Sequence, residues 1–156
     1  MTARGGAFEV SSVLPAPAAA VWARISTMAG VNFELAPFFR MTFPARFAAI
    51  DPAAVPIGRR VFRSWILLFG VLPVDYDDLR LERIEPGRGF LETSTMLSQR
   101  RWIHERTLEP AGPGCRVTDR VRFEPRLPGL AWLFGPLFHR LFLHRHRRLR
   151  EAFGGG

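Results

Sequence analysis

The last third of the chain, Arg100 to Phe153, most constrains what it can fold into. Two segments alternate, Trp102-Ile-His104-Glu-Arg106-Thr-Leu108 and Val117-Thr-Asp119-Arg-Val121-Arg-Phe123, and a long helical pattern follows them. Residues i and i+2 of a strand share a face, whereas i, i+3 and i+4 do so in a helix. The segment therefore reads as two strands and then a helix whose apolar side must lie on something. A curved sheet gripping that helix, with a pocket between them, satisfies both patterns.

Upstream, Ala7 to Leu14 reads as a first strand that stops at Pro15 and Pro17, residues that cannot serve an interior ladder. Pro17 to Ile25 reads as a helix with proline in its first turn and Val21, Trp22 and Ile25 on one side. Gly30 interrupts, and Asn32 to Phe39 reads as a second short helix or irregular turn. Strands are expected over Arg40–Ile50 (an edge strand, because of Pro44), Arg60–Phe69, Val74–Ile84, Phe90–Leu97, Gln99–Pro110 and Cys115–Glu124. A loop covers Asp51–Gly58, a turn or bulge Gly70–Pro73, and turns Glu85–Gly89 and Ala111–Gly114. The phase of Val74–Ile84 is not cleanly amphipathic, which points to a bulge. One strand, two helices, about six strands and one long helix spell an α+β fold with an antiparallel sheet. All 156 residues read as a single domain, with Gly154–Gly156 as a frayed tail.

Pro136 suggests a short turn over Gly129–Phe134 and a main helix starting near Pro136. At about 100° per residue, Phe134, Leu137, Phe138, Leu141, Phe142, Leu149 and Phe153 fill one arc, and His139, Arg140, His144, Arg147 and Arg150 the other. Arg145 and Arg148 project inside the apolar arc. Either they snorkel at its rim, or one of them pairs with a buried acid or binds an anionic ligand group.

The formal net charge is +8 and all 22 basic residues are arginine. Abundant alanine, glycine and proline point to codon bias as much as to a physical demand, so the charge does not argue for a nucleic-acid partner, which would need readable motifs on one basic face. Cys115 is the only cysteine and fits a reducing compartment. The N-terminus lacks an apolar run of signal-peptide length, and the most apolar window, Gly129–Phe138, falls short of the about 20 residues of a membrane span. A soluble, cytoplasmic protein is expected, with contact of the aromatic, arginine-rich final helix with a membrane surface as a further option.

On Gln99–Pro110, the residues Trp102, His104, Arg106 and Leu108 share a face; on Cys115–Glu124, Val117, Asp119, Val121 and Phe123 do. A short connection sets the two rows across from one another, at about 4.5–5.5 Å between Cβ atoms. His104, Arg106 and Asp119 are thus expected to meet inside an otherwise apolar cavity. As catalytic groups, His104 would be a general acid or base, Asp119 its orienting partner, and Arg106 the holder of a carboxylate or enolate oxygen. The structural alternative is a satisfied buried ion pair and histidine that fix sheet register. Trp65, Trp102, Phe123, Phe134, Phe138 and Phe142 are expected to line the cavity, with Phe38 and Phe39 near its entrance and Arg145 as a further ligand contact. In the competing picture these rings fill the space and no cavity remains. No metal site is expected: His144 and His146 point about 200° apart on a helix, and the chain lacks paired cysteines. No cofactor motif, phosphate loop or nucleophile elbow is present, and Cys115 reads as inert.

Several motifs occur in a telling order: Leu14-Pro-Ala-Pro17-x4-Trp22, Gly70-x2-Pro73, Arg101-Trp102-x-His104-x-Arg106, Gly114-x-Arg116-Val117-x-Asp119-x-Val121, Pro128-Gly129 and Arg145-His-Arg147-Arg148-Leu149. In these the chain resembles the SRPBCC superfamily, the helix-grip fold shared by START domains, the major birch-pollen allergen (Bet v 1) and polyketide cyclases. It most resembles the bacterial ligand-binding, polyketide cyclase/dehydrase-like branch. The resemblance implies seven antiparallel strands wrapped around the C-terminal helix, with an apolar cavity between. The aromatic stretch Asn32–Phe39 and the acidic Asp75-x-Asp77-Asp78 depart from that pattern. The expected function is binding of a small hydrophobic or amphipathic molecule such as a lipid, aromatic polyketide or isoprenoid, without cofactor. The alternatives are a cyclase or dehydratase using His104, and an interaction module using the arginine-rich helix.

Overall fold

A computed structural model describes residues 4–154. Seven antiparallel strands form one sheet in the order β1-β7-β6-β5-β4-β3-β2: β1 Gly6–Leu14, β2 Phe39–Met41, β3 Arg60–Leu68, β4 Leu72–Glu85, β5 Gly89–Met96, β6 Gln99–Ala111 and β7 Gly114–Pro125. Two short helices, α1 (Ala18–Ile25) and α2 (Met28–Leu35), follow β1. The long α3 (Ala131–Phe153) packs against β1, β7 and α2. The α+β helix-grip architecture expected from the alternation and the closing helix is present. No helix among the described residues is long and apolar enough to cross a membrane.

Local boundaries differ in four instructive places. The second helix covers Met28–Leu35 rather than Asn32–Phe39, and Gly30 lies within it. Thr27 caps it by accepting from the Gly30 N–H at 3.0 Å. A Cβ on Gly30 would sit 2.0 Å from the Arg24 carbonyl oxygen, so glycine permits the tight junction of α1 and α2 instead of breaking a helix. The strand expected over Arg40–Ile50 shrinks to Phe39–Met41, and Pro44 leads into a turn of 3-10 helix at Ala45–Phe47. The Asn32 side chain completes this short edge: its amide donates to the Met41 carbonyl at 3.0 Å and its oxygen accepts the Met41 N–H at 2.7 Å. Near the same edge, β4 starts at Leu72, so the β3–β4 turn is Phe69-Gly70-Val71, with both Phe69 and Gly70 at positive φ. A register shift between Leu81 and Arg83 supplies the bulge that the β4 pattern required.

The fourth difference is in α3, which is continuous from Ala131, with Pro136 inside it rather than at its start. Its apolar stripe is held strongly enough against the sheet to carry the loss of one backbone hydrogen bond. Gly154 closes it as a left-handed cap; the remainder of the expected frayed tail, residues 155–156, lies outside the described residues.

The core is divided. One cluster gathers Val10, Met96, Trp102, Val121, Phe123, Phe138 and Phe142. The other gathers Leu14, Val21, Ile25, Leu108, Cys115, Val117 and Leu149. On β1, β6, β7 and α3 alike the chain passes from one cluster to the other through buried polar residues: Ser12; His104 and Arg106; Asp119; Arg145 and His146. Removing Leu149 should open a void in the second cluster. Leu149→Ala is expected to lower the unfolding free energy by about 2–5 kcal/mol in urea titrations, whereas Trp132→Ala, at a site 73% exposed, should shift it by less than about 0.5 kcal/mol.

Candidate ligand-binding site

The residue rows expected on β6 and β7 face one another. Arg106 pairs directly with Asp119, His104 with Val121, Trp102 with Phe123 and Leu108 with Val117. Asp119 is the hub of the polar layer between the two clusters. Its Oδ1 accepts from His104 Nε2 and Arg106 Nε, both at 2.7 Å, and its Oδ2 accepts from Arg106 Nη2 and His146 Nε2, also at 2.7 Å. Four donors thus fill the roughly four lone-pair positions of one carboxylate.

Arg106 continues the network into α2. Its Nη1 and Nη2 donate to Glu34 Oε2 and Oε1 at 3.0 and 2.8 Å. Glu34 also accepts from Arg145 Nε at 3.1 Å. Arg145 therefore pairs with a buried acid, while Arg148 stays nearer the surface, donating to the Phe33 carbonyl and to Glu151 and covering the Phe33 ring. His146 Nδ1 meets the Ser12 hydroxyl at 2.8 Å, and that oxygen accepts from Arg150.

Burial pushes the Asp119 carboxyl up, but Arg106 and His104 outweigh it and hold it well below the usual carboxylate range. Glu34 is held low against burial in the same way, by Arg106 and Arg145. Burial pulls His104 down, yet Asp119 raises it above the ordinary histidine value of 6.5. Its other ring nitrogen, Nδ1, lies 3.7 Å from Glu92, which it helps hold low. With His104 protonated, the cations His104, Arg106 and Arg145 balance the anions Glu34, Glu92 and Asp119. A histidine held charged between two carboxylates is poorly suited to act as a base. Cys115 is buried, and burial raises its thiol, which keeps it inert.

Next to this layer a cavity of about 380 Å³ opens between the sheet, α2 and the first half of α3. Its lining comprises 20 apolar residues and the eight polar residues Ser26, Thr27, Asp75, Asp77, Glu92, Ser98, His104 and Arg145. Of the residues expected at the site, Phe39, Trp102, His104, Phe134, Phe138, Phe142 and Arg145 line it. Arg106 and Asp119 lie buried behind His104 and do not reach it. Phe123 is core, packed edge-on against Phe138. Trp65 is outside and 43% exposed, set against Tyr76 on the outer face. Phe38 is 41% exposed and packs on His144. Phe62, Ser64 and Ile66 take the inner face of β3, so the alternation turns Trp65 outward.

Glu34, Glu92 and His146 were given no place at the site by the sequence, and Asp77 stood out only within the acidic Asp75-x-Asp77-Asp78. His146 was legible, since a residue about 200° from the outward His144 must point inward. Glu34 offered only the signal of a lone acid in an apolar stretch.

The family model described as "Domain of unknown function (DUF8410)" matches residues 12–153. No curated protein matches the chain. Among solved structures, protein CV1439 from Chromobacterium violaceum is 16% identical with a TM-score of 0.72, over 94% of this chain and 96% of that one. A START superfamily protein from Mycobacterium smegmatis is 11% identical with a TM-score of 0.70, over 95% and 97%. Ara h 8.0201 is 14% identical with a TM-score of 0.57, over 93% and 98%. The architecture shared with these structures is the helix-grip fold.

Two outcomes follow from the network. Arg106→Met leaves Asp119 and Glu34 buried without their shared cation and should cost about 3–5 kcal/mol in urea unfolding. For pH, Glu34, Glu92 and Asp119 release protons more readily when folded, so the unfolded chain binds more protons and stability falls as pH drops through the acid range. His104 has the opposite sign: its contribution is complete below 6.5 and is lost as pH rises through its raised folded value. Urea midpoints should therefore decline above pH 6.5, and His104→Gln should flatten that alkaline decline.

Proposed function

The chain belongs to the family described as Domain of unknown function (DUF8410), and we propose that it binds a small hydrophobic or amphipathic molecule between its sheet and its C-terminal helix. The observation that carries this reading is the cavity itself. A volume of about 380 Å³ lies in the range of small-molecule pockets, and such pockets combine an apolar wall with a few polar anchors. Seven aromatic rings contribute to the wall: Phe39, Phe62, Phe90, Trp102, Phe134, Phe138 and Phe142. They offer stacking surface to a flat ring system and apolar area to a chain, which suits an aromatic polyketide, an isoprenoid or a lipid.

Binding is favoured over acid–base chemistry by the state of His104. Both ring nitrogens face carboxylates, and Asp119 has its four acceptor positions filled by protein donors. Such a group braces a wall, whereas a catalytic base needs a free lone pair aimed at the substrate. The mouth is marked by Val74 and by Leu137, which is 52% exposed although it belongs to the apolar stripe of α3.

Native mass spectrometry of the purified protein after incubation with organic extracts should show an added mass that survives desalting. Leu79→Trp, which places a large ring in the lining, should keep the fold by circular dichroism and lose that mass. If wild-type protein retains nothing and no apolar probe raises its thermal midpoint, binding is excluded.

A further inference from the structure

Arg145 brings more hydrogen-bonding capacity to the cavity than the protein uses. It is only 8% exposed and lines the wall from α3. A guanidinium carries five N–H donors, and Arg145 spends the one on Nε, which donates to Glu34 at 3.1 Å. Its Nη1 and Nη2 donate to no group among the described residues. Neither nitrogen is sealed away: the unpaired polar side-chain atoms out of reach of water among the described residues are Arg24 Nε, Asp77 Oδ1 and Gln99 Oε1. The little surface that Arg145 keeps is its guanidinium tip, and the space beside it is the cavity. Buried charged groups are normally met by acceptors, so this edge is an opening in an otherwise paired layer.

The protein's own groups do not account for it. Arg106 already holds both oxygens of Glu34, at 3.0 and 2.8 Å. The Phe142 ring lies 4.8 Å from Arg145 Cζ and covers one face of the guanidinium. The acids of the lining, Asp75, Asp77 and Glu92, belong to the sheet wall and take nothing from Arg145. Asp75 is met by the N–H groups of Tyr76 and Ser98 and by the Ser98 hydroxyl, and Glu92 by the Ser94 hydroxyl and His104. On α3, Leu137, Leu141 and Arg145 follow at four-residue spacing, and all three line the cavity. At about 1.5 Å per residue, Arg145 lies about 12 Å inward of Leu137 at the mouth.

Resting on the binding function proposed above, we infer that the ligand is an amphipathic carboxylate, its two oxygens on Arg145 Nη1 and Nη2 and its apolar body running along α3 toward Leu137. A carboxylate matches the open fork with two parallel charge-assisted hydrogen bonds. A hydroxyl offers one oxygen to two nitrogens, and an ammonium group offers no acceptor. His104, the other cation of the lining, stands between Asp119 and Glu92 and leaves the anion to Arg145.

Three probes with one ring system test this by isothermal titration calorimetry at neutral pH: 2-naphthoate, its methyl ester and 2-naphthylmethylamine. Wild-type protein should bind 2-naphthoate at least about tenfold more tightly than the ester, the ratio that hydrogen bonds to a charged group provide. The amine should bind most weakly. Arg145→Met, with its fold verified by circular dichroism, should keep the ester and lose the preference. Arg148→Met removes an arginine of the same helix that does not line the cavity, and should retain the preference. Equal wild-type affinities for acid and ester, or tightest binding of the amine, would overturn the assignment without any variant having to fold. So would a folded Arg145→Met that still prefers the acid, or an equal loss in Arg148→Met, which would mark a general positive field. In each of those cases the cavity still binds and only the Arg145 role is lost; failure of every probe removes the binding function and the anchor together.

Discussion

The guanidinium of Arg106 holds two carboxylates from different parts of the chain, Asp119 on β7 and Glu34 on α2, each by two hydrogen bonds. Much else in the molecule is arranged around that fork. Isolated charges at this depth would be very costly to remove from water, so each must be met by an opposite charge in good geometry. The chain meets them from five elements: Ser12 from β1, Glu34 from α2, His104 and Arg106 from β6, Asp119 from β7, and Arg145 with His146 from α3. Because the layer crosses these five elements at one level, it fixes their mutual register. A shift of α3 along its axis by one turn would set Arg145 and His146 against apolar side chains and strand Glu34 and Asp119. A shift of one residue between β6 and β7 would turn Arg106 and Asp119 to opposite faces.

The same layer divides the interior into a filled part and an open part. The cluster around Leu14, Val21, Val117 and Leu149 is closed by α1. The cluster around Trp102, Phe138 and Phe142 borders the cavity, and His104 and Arg145 are what the polar layer shows to it. Asp119, Arg106 and Glu34 are satisfied by the protein, which accounts for rigidity and register. A saturated network has nothing left to offer a ligand.

What the sequence made legible follows the same division. The meeting of His104, Arg106 and Asp119 could be read from period-2 alternation across one short hairpin, because strand neighbours joined by a tight turn have little freedom of register. The grip of a long terminal helix followed from its one-sided stripe. Glu34 and His146 entered the layer through long-range packing of helices, which a local pattern does not encode. Two punctuation residues misled for physical reasons. Gly30 signalled a break, but it serves the close approach of α1 to α2. Pro136 signalled a helix start, but tertiary packing carries α3 through it. Trp65 suggested cavity wall and Phe38 its entrance, yet both stand where the sheet and helices leave one side uncovered. Large rings mark burial on average, and at the edge of a curved sheet they settle for partial cover.

The arginine-only basic composition takes on a different meaning once the charges are located. On the outer face of the sheet many are answered locally: Arg63 pairs with Asp78, Arg83 with Glu105 and Arg120 with Glu9. Inside, the choice of arginine matters more. A lysine at 106 would present three donors from one point, whereas Asp119 takes Nε and Nη2 and Glu34 takes Nη1 and Nη2, two adjacent edges of one plane that meet at Nη2. Whatever nucleotide bias favoured arginine in this chain, its planar fork is what allows one side chain to tie the sheet to α2. The polar layer, and with it the position of the cavity wall, depends on that geometry more than on the charge alone.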